Sequence, residues 1–176
     1  HIMTTAIAII ILIACGFLYY GWIRLRQEIS AKITQLIFRK AHREGEGAVG
    51  RTHLITPKSV SAHALLEAAW EAIDVPASEK PPRWWPASVF KWRSDDPAGL
   101  VFQSKGRLTF TQWSATLLTD KEGTQLLWSV VQALQFNGLV PEARSLANLE
   151  RRVIRAMRAC DPYCEIISEQ GKVKWK

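Results

Sequence analysis

The clearest pattern of apolar and polar positions lies between Thr111 and Cys160. Residues 111–119 alternate, with Trp113, Ala115 and Leu117 on one face and Gln112, Ser114 and Thr116 on the other. Residues 124–136 alternate again, with Leu126, Trp128, Val130, Leu134 and Phe136 in phase and Gln132 interrupting them. Asp120-Lys-Glu-Gly123 between them has turn chemistry, so the two runs predict a long hairpin. The second run is apolar on both faces toward its start, which predicts cover on both sides. Its length also predicts a bulge or bend. After Gly138 and Pro141 the period lengthens: Leu146, Leu149, Val153, Met157 and Cys160 recur every three or four residues. This predicts an amphipathic helix over Pro141–Cys160, with Arg144, Arg151, Arg152, Arg155 and Arg158 off the apolar stripe.

The residues before this stretch predict shorter elements. Arg51–Thr56 reads as an extended run. Ala62–Ile73 reads as a helix capped by Ser59 or Ser61, with Leu65, Leu66, Ala69, Trp70 and Ile73 on its apolar face. The Pro-rich connection Val75–Pro86 carries Trp84 and Trp85. Ser88–Arg93 reads as a strand with Phe90 and Trp92 on one face and Lys91 and Arg93 on the other. A turn at Asp95–Gly99 leads to Leu100–Gln103, and a second turn at Ser104–Arg107 leads to Leu108–Phe110. Glu165–Ile167 and Val173–Trp175 read as a last hairpin or a loose tail.

The N-terminal pattern differs. His1 and Ile2 before Met3 read as a cloning remnant. Thr4–Trp22 carries no charge and as a helix would extend about 28 Å. Tyr19, Tyr20 and Trp22 close the run, and Arg24 and Arg26 follow, an arrangement suited to a membrane interface. The expectation is a single transmembrane helix over 4–22, with the C-terminal domain on the cytoplasmic side. A cleaved signal, a lipoprotein box ending at Cys15 and a buried core helix are the alternatives. Residues 23–43 continue as a basic amphipathic helix with Ile29, Ile33, Leu36 and Ile37 in one stripe, suited to a membrane surface, to the folded domain or to a second copy. Residues 44–50, with three glycines, read as a linker before a domain over 51–161 and a tail over 162–176.

Composition adds two constraints. The chain has 176 residues, enough for one domain plus an appendage, and 48% of them are hydrophobic, which excludes a disordered composition. The net charge of +7 favours anionic partners. Nucleic acid is the weaker choice among them, because no recognition motif accompanies the charge. Candidate chemistry is sparse. Cys15, Cys160 and Cys164 are too few for a zinc site, so no metal is expected, and no cofactor either. His63 and Glu67 sit four apart and read as a solvated pair. Asp95 and Asp96 before Pro97 read as turn formers.

The order of elements from Arg51, the phrase SATLLTDKEGTQLLWSVVQ (Ser114–Gln132) and the helix opening PEARSLANLERRV resemble the START-like (SRPBCC) superfamily of polyketide cyclases and lipid-transfer proteins. The resemblance covers roughly residues 51–160. It implies an α+β helix-grip fold, in which a curved antiparallel sheet wraps a long C-terminal helix around an apolar cavity. Fewer strands are evident here than in that family, and an N-terminal anchor is not a usual part of it. The resulting expectation is a membrane-anchored domain that binds a lipid or other apolar small molecule. Its pocket would be lined by Trp92, Phe102, Trp113, Trp128, Val130, Gln132, Leu134 and Met157. No residue is assigned to catalysis. The alternatives are a polyketide cyclase or dehydratase-like enzyme, for which His53, Arg93 and Glu67 are distant candidates, and a self-associating interaction module.

Overall fold

The computed structural model describes residues 15–26, 28–30, 32–33, 39–80, 89–106, 111–135 and 139–171. Trp84, Trp85, Phe136, Arg107 of the turn at Ser104–Arg107 and the run 108–110 lie outside them, as do residues 4–14 and Val173–Trp175.

The folded part has helices α1 (Arg39–Val49), α2 (Ala62–Ala72) and α3 (Ala143–Cys160). Its strands are β1 (Arg51–Thr56), β2 (Val89–Asp95), β3 (Ala98–Lys105), β4 (Thr111–Thr119), β5 (Leu126–Ala133) and β6 (Glu165–Gln170). The strands form one antiparallel sheet in the order β2-β3-β4-β5-β1-β6. The fold class is therefore α+β, with a six-stranded antiparallel sheet and a long helix near the C-terminus.

One part of the expectation is overturned. Among the described residues no helix is long and apolar enough to cross a membrane. The single-pass anchor and the membrane localisation built on it are accordingly withdrawn. Tyr19, Tyr20, Trp22, Arg24 and Arg26, read as membrane-interface residues, lie in the helical run 15–26, and the Arg24 guanidinium sits 5.9 Å from the Tyr20 ring centre.

The stretch read as a linker is helical up to Val49. Its glycines are the reason it can pack. A Cβ on Gly45 would lie 3.3 Å from the Val140 side chain and 3.4 Å from that of Ala143, so the missing side chain lets α1 approach the start of α3. The tail, read as a last hairpin or a loose end, contributes β6, which pairs with β1 from Arg51↔Gln170 to Thr56↔Glu165.

The core forms where one face of the sheet meets α2 and α3. Ile55, Leu100, Phe102, Trp113, Ala115, Leu117, Leu126 and Trp128 come from the strands, and Leu65, Ala69, Leu146, Val153 and Met157 from the helices. Alternation and helical period thus put the expected side chains inside. On the opposite face Leu127 and Val131 are 45% and 67% exposed, so the second strand is not covered on both sides in the way its composition suggested.

Two local features explain where the alternation fails. In β5, Ala115 pairs with Val130 but Ser114 pairs with Gln132, so Val131 is an extra residue in a bulge. The slip reverses the phase. Ala133 then packs on the core and Gln132 turns out to solvent. In β2, Lys91 pairs with Phe102, so Lys91 and Arg93 share the core-facing side while Trp92, opposite Val101, takes the other. The polar residues face inward because they grip α2. Lys91 Nζ donates to the carbonyls of Trp70 and Ile73, each at 2.6 Å, and so caps the end of α2. It also stands 4.2 Å from the Trp70 ring centre. Arg93 lies 4.6 Å from the same ring and donates to both Glu67 carboxylate oxygens, Nη2 to Oε2 at 2.8 Å. That hydrogen bond lowers the Glu67 pKa and raises that of Arg93. Burial lowers the Lys91 pKa.

The far end of the domain is fastened by Asp161. Its carboxylate accepts from the Ser59 hydroxyl, from the backbone N–H groups of Lys58 at 2.7 Å and Ser59 at 2.9 Å, and from the Tyr163 N–H at 3.1 Å. These donors, the Ser59 hydroxyl foremost, hold the carboxyl well below the usual carboxylate range. The loop before α2 is thereby tied to the C-terminal end of α3.

Lys91→Met keeps the length of the stem but leaves the Trp70 and Ile73 carbonyls without their charged donor. The expected loss of stability is about 1.5–3 kcal/mol, read from the urea midpoint at constant slope. A variant as stable as the parent would show that the capping contact contributes nothing.

Candidate functional site

Four of the expected pocket residues are brought together, and they fill the space rather than line it. Phe102, Trp113 and Trp128 are at most 1% exposed, and so is Met157 across from them on α3. The Phe102 and Trp128 rings lie 6.0 Å apart at 46°. Trp113 Nε1 donates to Ser145 Oγ at 3.3 Å, while Trp128 Nε1 is buried without a partner among the described residues. Val130 packs at the margin of the core. Trp92, Gln132 and Leu134 are not part of this group: Trp92 is on the other face, and Gln132 and Leu134 are exposed.

Polar chemistry gathers instead toward the β6 edge of the same face, where β1 passes under α3. The alternation of β1 sends Arg51, His53 and Ile55 to the helix-facing side. On α3, Glu150 falls next to Leu149 and three residues before Val153, so the helical period buries it at 4% exposure. His53 is 5% exposed. Its Nε2 lies 2.7 Å from Glu150 Oε1, and its Nδ1 lies 2.7 Å from Ser168 Oγ on β6, directly across the ladder. Arg51 Nη1 donates to the same Glu150 oxygen at 3.0 Å. An ionised carboxylate only accepts, so Nε2 carries the proton toward Glu150 and Nδ1 accepts from the Ser168 hydroxyl when the ring is neutral. Burial pushes the Glu150 carboxyl up, but the hydrogen bonds from His53 and Arg51, with their charges, outweigh it, and the pKa ends below the ordinary value.

Ser168, His53 and Glu150 have the composition of a nucleophile, base and acid. The order of ring nitrogens is the reverse of the serine hydrolase arrangement, in which the nucleophile meets Nε2 and the acid meets Nδ1. The chain of contacts is better described as a buried carboxylate held between a histidine and an arginine. Its polar groups are satisfied along its length, which is what a buried charge requires.

Arg51 leads from this chain to a pocket. Between α1 and α3 lies a cavity of about 540 Å³, lined by Arg43, Gly47, Ala48, Arg51, Arg144, Ala147, Asn148 and Arg151. Residues 144, 147, 148 and 151 recur at three and four along α3 and so form one face of its first turns. Small residues (Gly47, Ala48 and Ala147) leave the space, and four guanidinium groups surround it. Arg51 is held by Glu150, and Arg151 bonds within its own helix, its Nη2 to Asn148 Oδ1 at 2.6 Å. Arg43 and Arg144 are exposed and pair with no carboxylate among the described residues. A second cavity, of about 300 Å³, lies along the N-terminal helical run and is lined by Trp22, Leu25, Arg26, Ile29, Ser30 and Ile33.

The excess of arginine on the helix at 141–160 was visible in the sequence. The location of the pocket was not, because it needs α1, β1 and α3 to meet. Glu150 is the residue that sequence reasoning missed, although its place on the apolar stripe, between Leu149 and Val153, was a signal that it would be buried. Comparison with known protein families, with curated proteins and with solved structures finds no match. The class that fold and site define is thus an α+β domain with a basic pocket beside a buried Glu–His–Arg cluster.

Glu150→Gln leaves the shape but removes the charge between Arg51 and His53. The folded pKa of Glu150 lies below its unfolded value, so its stabilisation is present above about pH 4.5 and fades as the pH falls through the folded value. The variant is expected to be about 1–3 kcal/mol less stable than the parent at pH 7, with the gap narrowing toward pH 3. Urea unfolding at a series of pH values checks this, and a gap that stays constant with pH would contradict it.

Proposed function

We propose that the domain is a binding module for an anionic ligand, taken up in the pocket between α1 and α3. The observation that carries this reading is four arginines around one cavity with Glu150 as the carboxylate beside them, already held by Arg51 and His53. Like charges converge on a common space only at a cost, and an anion bound there removes it. Guanidinium groups suit this role because they stay charged and can donate in pairs to phosphate or carboxylate oxygens. The volume falls in the range of small-molecule sites, about 300–1,000 Å³. An apolar ligand between sheet and α3 is less well supported, since Phe102, Trp113, Trp128 and Met157 occupy that space with one another. Binding also fits better than cyclase-type catalysis: His53 points to Glu150 and Ser168, and Glu67 and Arg93 are spent on each other.

Arg144→Ala should weaken the binding of inorganic phosphate at least tenfold in isothermal titration at fixed ionic strength. Arg155→Ala, on the same helix but outside the pocket, should leave it unchanged. Equal losses in the two variants would mean that binding follows net charge rather than the pocket.

A further inference from the structure

Resting on the anion-binding reading, we propose that the ligand carries two linked phosphate groups, as a diphosphate or a nucleoside diphosphate does. The first argument is charge. Four guanidinium groups line the pocket, its lining includes no carboxylate, and Glu150 behind it pairs with Arg51 alone among them. One phosphate carries about −1.5 to −2 at neutral pH, so a single group leaves more of this positive charge uncompensated than a linked pair does.

The second argument is placement. The arginines come from three separate elements: Arg43 from α1, Arg51 from the start of β1, and Arg144 and Arg151 from successive turns of α3. Positions seven apart on a helix stand about 10 Å apart along its axis, so Arg144 and Arg151 enter the pocket from points two turns apart, a spacing that suits two linked phosphates. Arg51 is fixed from behind by Glu150 Oε1, which leaves its other terminal nitrogen toward the pocket: Arg51 Nη2 is the atom that a Cβ on Gly47 would meet, at 3.6 Å. Arg51 is therefore a pre-positioned anchor at the inner end, and Arg43 and Arg144 are exposed partners nearer solvent.

The third argument is shape. Gly47, Ala48 and Ala147 give the pocket apolar wall without filling it, and about 540 Å³ leaves room for an organic group attached to the phosphates. A concavity of this kind takes a discrete molecule. A nucleic-acid backbone calls for a charged groove that tracks a strand.

The test is titration of the full chain with inorganic phosphate, pyrophosphate, ADP and a short single-stranded oligonucleotide at one ionic strength. Pyrophosphate and ADP should each bind at least tenfold more tightly than phosphate. Arg144→Ala should reduce that preference severalfold, and Arg155→Ala should preserve it. Gly47→Leu, which changes no charge, should exclude ADP by filling the pocket, while Gly47→Ala, whose added carbon finds ordinary contact distance, should not. Equal affinity for phosphate and pyrophosphate would overturn the diphosphate assignment and leave the anion-binding reading standing. Absence of binding by every anion would overturn both. An oligonucleotide that binds more tightly than ADP would overturn the small-molecule assignment in favour of a strand.

Discussion

The structure depends on a sheet that is covered on one face by two helices. Burying the strand residues Phe102, Trp113, Leu117 and Trp128 against α2 and α3 supplies the main favourable contribution, at about 25 cal/mol for each Å² of apolar surface removed from water. The apolar area of the two helices is limited, so the margins of the contact are polar, and both margins are cationic. At one, Lys91 and Arg93 reach from β2 to the end and flank of α2. At the other, Arg51 and His53 reach from β1 to Glu150 on α3. Each margin balances its charge differently. The first spends it on carbonyls, a carboxylate and an indole ring. The second balances part of it and leaves a charged pocket beside it, which is why the candidate site lies there and not at β2.

The elements were legible in the sequence wherever one periodicity dominated. β4 occupies the residues whose alternation was cleanest, and α2 and α3 follow their apolar stripes closely. The misreadings share a physical origin. Trp92 was placed on the core face because apolar residues alternate with cations in β2, but a cation with a helix terminus to cap and a tryptophan to lie against can be the inward residue. Gln132 and Leu134 were assigned to the face of Trp128, but the extra residue at Val131 reverses the phase after it, and a bulge leaves no mark in composition. The three glycines at 44–50 suggested a flexible connection. Instead a helix uses one of them to lie close to another helix.

The candidate site was less legible than the fold. Its charges were visible as a list of arginines, but their convergence depends on β1 and α3 meeting across about a hundred residues of chain. The stripe of apolar residues on α3 drew attention to Met157 and away from Glu150, which lies on the same buried side. A buried carboxylate inside an apolar repeat signals that opposite charge must come from elsewhere. In this chain the source is the first strand, where Arg51 and His53 alternate onto the inner face two residues apart.

The pairing of β6 with β1 has a consequence for how the protein is made. Among the described strands β1 leaves the ribosome first, yet both of its neighbours, β5 and β6, lie in the second half of the chain. Until residue 170 has emerged, the N–H and C=O groups along one side of β1 have water alone as partner, and Ser168 is not yet beside His53. The nascent domain can assemble the β2–β5 meander by local hairpins, but it cannot close on itself early. β1 must wait for β6, and the loop-closure entropy of that wait is part of the folding barrier. The order of synthesis therefore leaves the β1–β6 ladder, with the contact between Ser168 and His53, as the last part of the described domain to be completed.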